Sequence, residues 1–228
     1  MKEEESLSVS LGLTYTGLDN GNLAIDFYQT KVDDRIYRVG DIELDSGTIS
    51  FYTNAIDVEH QGIDLVYTTS FDWSEDASNK FTFADNHNTI DVVGESLVVS
   101  DAIIEDIENN YPEKSFVATA VTDFGEYYQV MVRANLYGEH YDERGRINDT
   151  ENDPTAQIGP VVFFDVEFNY FATDDLTLTA GTSNIYDQYV EEIGAGNANR
   201  LSVGLQYPRR TAANYEGGSL YLRAQHMF

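Results

Sequence analysis

Strict period-two alternation constrains this chain more than any other feature. From Ser6 to Thr16, Leu7, Val9, Leu11, Leu13 and Tyr15 alternate with Ser8, Ser10, Gly12, Thr14 and Thr16. Successive side chains leave a strand on opposite faces, so this segment is a strand with one apolar and one small polar face. Leu23, Ile25 and Phe27 continue the pattern against Ala24, Asp26 and Tyr28. So do Ile63 to Phe71, Tyr128 to Leu136, Val162 to Tyr170, Leu176 to Ala180 and Leu220 to Phe228. The spacing predicts nine main strands, at about 6–17, 22–36, 55–72, 79–90, 115–123, 126–138, 161–172, 175–187 and 219–228.

The connections alternate as well. Residues 17–21, 73–78, 123–125 and 172–174 read as short turns rich in Gly, Asp, Asn or Ser, with Asn20-Gly21 as a hairpin signal. Residues 37–54, 91–114, 139–160 and 188–218 read as long loops. Such loops are uncommon in compact soluble domains. Short and long connections in strict turn make the two ends of a sheet different, as in outer-membrane barrels with short periplasmic turns and long extracellular loops. That geometry puts the C-terminus on the periplasmic side. Ser100 to Ile107 carries a cap-like Ser and a first-turn acid, which predicts a helical turn ending before Pro112. Residues 199–207 alternate and are expected to extend a strand within the last loop.

Composition enters as a test of this reading. Forty acidic residues against 13 basic ones give a net charge of −27, which argues against nucleic acid as a partner, because neutralising phosphates needs clustered Lys and Arg. No apolar run approaches the ~18 residues of a transmembrane helix. The absence of Cys excludes disulfides and thiolate sites. Most acidic residues fall in the expected loops, in the turns and at Glu3 to Glu5, where a membrane barrel tolerates them.

Five stretches, in order, resemble the C-terminal part of the barrel of TonB-dependent outer-membrane receptors. They are Asp26-Phe27-Tyr28-Gln29 leading to Val32-Asp33-Asp34-Arg35-Ile36; Asn54-Ala55-Ile56-Asp57 with Gln61-Gly62-Ile63-Asp64-Leu65-Val66; Arg133 to Tyr141; Leu176 to Asp187; and Tyr207-Pro208-Arg209 with Gly217-Gly218 and Tyr221 to Phe228. The resemblance runs from about residue 6 to 228. Barrels of this class have about 22 strands around a plugged lumen. It therefore implies that residues 1–228 are the C-terminal portion of the barrel, all-β, antiparallel and up-and-down. The plug and the N-terminal strands lie outside the chain, no signal segment opens it, and the sheet is open and curved when taken alone. Two departures stand out. His226 occupies a position where the family prefers an apolar residue, and Thr211 to Gly218 lacks the family's Phe residues. Asp85 and His87 share a face with Phe81 and Phe83, which calls for a brief crossing or a bulge that re-aims Asp85.

Asp26, Asp64, Arg133, Asp165, Glu167 and Arg223 fall on the polar face, which in a barrel lines the lumen. Arg133 on the strand beside Asp165 and Glu167 predicts cross-strand ion pairing. His60, His87, His140 and His226 are too scattered to form a metal site, and Asn148 to Asp153 lacks the spacing and glycine of a calcium loop. Gly194-Ala195-Gly196 opens no helix and is no dinucleotide fingerprint. Hence no catalytic residue, metal or cofactor is expected. The one local cluster of donors is Glu139-His140-Tyr141-Asp142, so His140 and Tyr141 are the candidate extracellular ligand contacts.

The resemblance implies energy-coupled uptake of an iron-siderophore, haem, cobalamin or glycan across the bacterial outer membrane. Its partners would be membrane lipid and, through the plug, the TonB complex; nucleic acid is not among them. Two rival readings keep the same strands. A small soluble barrel or sandwich would enclose Val162, Phe164, Val166 and Phe168 in a dry core. A passive porin would share the topology without the energy coupling.

Overall fold

The structure is a computed structural model that describes residues 1–44, 47–95, 99, 101–142, 147–150, 153–155, 157–192, 204, 206–208, 211 and 217–227. The strands are β1 (Glu5–Leu18), β2 (Gly21–Leu44), β3 (Gly47–Ser74), β4 (Ala77–Glu95), β5 (Lys114–Phe124), β6 (Tyr128–Tyr137), β7 (His140–Tyr141), β8 (Ile147–Thr150), β9 (Asp153–Thr155), β10 (Gln157–Ile158), β11 (Val161–Thr173), β12 (Leu176–Ser183) and β13 (Ser219–His226). One helix, α1 (Asp101–Asn109), lies between β4 and β5. Nine strands form one antiparallel sheet in the order β1-β2-β3-β4-β5-β6-β11-β12-β13. Each is hydrogen-bonded to its neighbour in the chain, except that β6 meets β11 across the small β7–β10 segment. Among the described residues β1 and β13 are unpaired on their outer sides, so the sheet is open as the alternation and the resemblance implied.

Four tight turns close one end. Leu18 pairs with Gly21, Ser74 with Ala77, Phe124 with Tyr128 and Thr173 with Leu176. In the first, Asp19 and Asn20 form the bend, with Asn20 at φ 59°, one residue earlier than the Asn-Gly pair suggested. Helix, small strands and long connections all gather at the other end.

The register turns the alternation into a wall. Ile25, Leu65, Asp85, Phe116, Leu136 and Val162 form one row across six strands. The apolar residues of a strand span 7–15 on β1, 63–71 on β3, 128–136 on β6 and 162–170 on β11. Eight steps of about 3.4 Å, tilted by about 40°, give a band about 21 Å tall, close to the apolar belt of outer-membrane barrels. Among the described residues no other element covers this band. Leu7 to Leu13 are 58–67% exposed, Phe164 36%, Phe168 41% and Leu222 79%. Aromatic rings thicken the turn-side half: Phe71 stacks on Trp73 and Phe81, and Tyr128 on Phe168 and Tyr170.

Above the band the two faces exchange character. On the apolar side Ile63 gives way to Gln61, Glu59 and Asp57. On the polar side Asp64 and Gly62 give way to Val58 and Ile56, and on β4 Asn88 gives way to Ile90 and Val92. This exchange explains where the core sits. Ala55, Ile56, Val58 and Ile90 are buried beneath Ile107 of α1. A second cluster joins Ile158, Phe163 and Val190, with Tyr137, Val161 and Tyr207 packed against it. Both clusters roof the polar face at the long-loop end.

Several sequence expectations need correction. Residues 37–54 are not a loop: β2 and β3 stay paired up to Leu44 and Gly47, with register shifts between Val32 and Ile36 and between Val39 and Ile42. β4 runs to Glu95 instead of 90. β12 stops at Ser183 instead of 187, because Asn184 and Asp187 take positive φ of 50° and 51° and turn the chain. No bulge re-aims Asp85, since the β4–β5 register is continuous from Ala77 to His87. Asp85 instead sits in the row that closes the band on β5, β6 and β11, where a carboxylate can reach water. The helix forms as expected, over Asp101–Asn109. Ser100, 199–203 and 205 lie outside the described residues, so the strand expected over 199–207 does too.

Candidate functional site

The polar face carries two constellations. The lower one is a hydrogen-bond network across β6, β11, β12 and β13. Glu167 accepts from the Tyr221 hydroxyl at 2.6 Å and from Asn169 Nδ2 at 3.0 Å, and pairs with Arg223 at 3.6 Å. Arg223 also donates to Thr179 Oγ1 at 3.4 Å. Thr179 in turn donates to Asn169 Oδ1 at 2.6 Å, and Asn169 reaches Gln129 Oε1 at 3.2 Å. Gln129 donates to Asp123 at 2.8 Å. A Cβ at Gly181 would fall inside the Tyr221 ring, so only glycine lets the tyrosine lie flat across β12 to reach Glu167.

Asp165 holds a different post. Its Oδ1 accepts from the Asn184 backbone N at 2.9 Å and from Ser183 Oγ at 3.4 Å, and its Oδ2 accepts from Asn135 Nδ2 at 2.9 Å. Asn184 then caps the turn, accepting from Gln188 N at 3.0 Å and donating to Gln188 O at 2.7 Å. Asp187 accepts from Gly218 N at 2.7 Å, which ties the start of the last loop to its end. Its bond to the Tyr189 hydroxyl pushes that phenol's pKa up.

The expected pairing of Arg133 with Asp165 and Glu167 does not form. Arg133 is opposite Asp165 in register, yet both carboxylates are held by other donors, and Arg133 Nε donates to Thr119 Oγ1 at 3.3 Å. Asp26 and Asp64 share the same face but lie on β2 and β3, apart from this network. They stand directly opposite each other, a repulsive pairing that the Asn86 amide relieves by donating to Asp64 Oδ1 at 2.5 Å. Sequence reasoning placed Tyr221, Asn169 and Gln129 on this face without singling them out. Only the β12–β13 register shows that Tyr221 reaches Glu167, which Asn169 also contacts, while Gln129 joins through Asn169.

The upper constellation lies under the roof. His140 is 2% exposed, and its Nδ1–H donates to the Gly138 carbonyl at 3.1 Å. Burial pulls its pKa below the ordinary histidine value, against the Gly138 bond and the charge of Asp142, which push upward. Tyr141 is half-buried and pairs with Gln157 across β7 and β10. Both line a cavity of about 450 Å³ together with Glu105 and Asn109 of α1, Tyr111, Glu113, Lys114, Gly138, Glu139 and Gln157. Among the described residues no group of His, Asp and Glu is placed to hold a metal ion.

An open antiparallel wall with an unclothed apolar band on one face and a bonded polar network on the other defines a segment of an outer-membrane-type β-barrel. The family model for TonB dependent receptor-like, beta-barrel domains matches residues 1–185, and the chain belongs to that family of outer-membrane receptors and transporters. A sequence search among curated proteins finds no match. Solved structures agree on the fold. The copper transporter OprC is 16% identical with a TM-score of 0.65, over 100% of this chain and 32% of that one. The FrpB iron transporter from Neisseria meningitidis is 12% identical with a TM-score of 0.63, over 99% and 31%. The outer membrane transporter YddB from Escherichia coli is 10% identical with a TM-score of 0.68, over 100% and 33%. The chain thus spans about a third of the length of these structures.

Proposed function

We propose that residues 1–228 are the C-terminal portion of the barrel of an energy-coupled outer-membrane importer. The nine strands supply part of a ring of about 22, and the rest of a longer receptor supplies the remaining strands and the plug. The tight turns face the periplasm and the roofed end faces outside. Asp26, Asp64, Arg133, Asp165, Glu167 and Arg223 line the lumen, and lipid meets the opposite face. The observation that carries this reading is the uncovered nine-residue apolar band, bounded above by the exchange of face polarity. A soluble barrel would instead bury Phe164 and Phe168, which are 36% and 41% exposed.

Two of the named neighbours are a copper and an iron transporter, which supports a transition metal as the cargo; iron-siderophores, haem, cobalamin and glycans are the cargo classes that the family resemblance implies. His140 and Tyr141, on the wall of the outer cavity, are the candidate contacts. The test is accumulation of labelled ferric siderophores, haem and cobalamin by cells producing the full-length receptor, with and without a protonophore. Accumulation of one of them that the protonophore abolishes is expected. Entry of small solutes unaffected by the protonophore would instead identify a passive porin.

A further inference from the structure

We propose that Arg133 is the anchor of a carboxylate-binding site on the polar face, a role separate from the Glu167 network below it. Three observations lead there. First, the guanidinium engages no carboxylate within 4.0 Å among the described residues, although Asp165 is its register partner and Glu167 is two residues away. Second, its neighbours' commitments explain this. Asp165 is saturated by Asn135, Ser183 and Asn184, and Glu167 by Tyr221, Asn169 and Arg223. Among the described residues the hydrogen bond of Arg133 runs from Nε to Thr119, and its terminal nitrogens suit a planar bidentate acceptor, with no described carboxylate in reach. Third, the side chain is exposed and opens on a cavity of about 330 Å³ bounded by Tyr137, Phe163, Asp165, Ser183 and Ser219.

The lining selects the anion. Asp165 on the same wall repels a dianion more than a monoanion, so a carboxylate fits better than a phosphate. The volume is at the small end of ligand pockets and suits one carboxylate on a small molecule or a side chain. That carboxylate comes either from a free solute or from a segment of the receptor folded against the wall.

The proposal rests on this face lining an aqueous lumen. The experiment uses the full-length receptor in outer membranes, otherwise free of cysteine, with Ser219→Cys as reporter. Its modification rate is measured with anionic sulfonatoethyl and cationic trimethylammonioethyl methanethiosulfonate. If the site takes a free solute, the anionic reagent wins by about threefold or more over its ratio on a free thiol, through the local field of Arg133. Acetate then slows it, Arg133→Gln abolishes the preference and Arg133→Lys keeps it. If a carboxylate of the receptor's own chain fills the site, both reagents are slow, acetate has no effect, and Arg133→Gln speeds both by tenfold or more. A cationic preference, or an anionic one unmoved by Arg133→Gln, overturns the site while the lumen reading stands. Lack of reaction in both the parent and Arg133→Gln overturns both. A heat-modifiable folded band on gels confirms that each variant has assembled.

Discussion

Single residues show what alternation can and cannot tell. It placed Arg133, Asp165 and Glu167 on one face, because a strand side chain has only two sides to choose from. It could not choose their partners. Those depend on the Asn184 turn and on Tyr221 and Arg223, which lie dozens of residues away in the chain and meet β11 only through β12 and the sheet register. His140 makes the same point differently. In sequence it belongs to an exposed-looking run of donors; in the fold it is buried against Gly138 beside Asp142. Its lowered pKa carries a sign. Below the ordinary histidine value of about 6.5, the opened form takes up a proton that the closed form resists, so the closed form loses stability as pH falls through that value toward the lowered one. Hydrogen exchange over β7 and β10, corrected for intrinsic rates, is expected to be faster at pH 5 than at pH 7.5, and His140→Gln should remove the difference. Equal protection at both pH values in the parent chain would contradict the burial assigned to this ring.

At the scale of elements, the strands were legible inside the membrane band and misjudged outside it. In the proposed barrel one face of 63–71 or 162–170 meets lipid and the other water, so hydrophobicity follows the pleat. Above the band the outer face would meet water, while the inner face packs on α1 and on Val190 and Tyr207. The pattern therefore changes phase at Gln61 and Thr89, and the reading took that change for the start of a loop. The 37–54 hairpin was missed for a related reason: charged and turn-prone residues such as Asp41, Asp45 and Gly47 hid its pairing. The helix was legible because its capping and apolar spacing are local. α1 docks above the band and is no part of the ladder, so its loss should leave the wall standing. Burying a carboxylate in place of Ile107, which is 3% exposed, is expected to cost roughly 3 kcal/mol or more of docking free energy. Ile107→Asp should therefore expose residues 101–113 to added protease on intact cells while the barrel stays heat-modifiable. Loss of the heat-modifiable band would show that the helix is needed for the wall itself.

For the molecule as a whole, the open sheet is the main fact. Among the described residues both β1 and β13 end in unpaired edges, and an edge inside hydrocarbon leaves backbone groups without partners. In the proposed reading the remaining strands of a longer receptor pair with these edges and close the wall around a lumen. The −27 charge fits this picture, since within the band Asp26, Asp64, Asp165 and Glu167 lie on the polar face and Asp85 lies in the row at its rim. The central claim is that lipid covers one face of β11 and water the other. Its most direct test places a nitroxide on single cysteines at each position from Val162 to Asn169 of the full-length receptor in bilayers. Collision rates with oxygen, which favours lipid, and with a water-soluble nickel chelate are then compared. Oxygen is expected to dominate at Val162, Phe164, Val166 and Phe168, and the nickel chelate at Asp165 and Glu167 wherever the lumen is open, Phe163 and Asn169 being buried on that face. If the four apolar positions are instead sheltered from both reagents, they enclose a dry core, and the barrel-wall account is wrong.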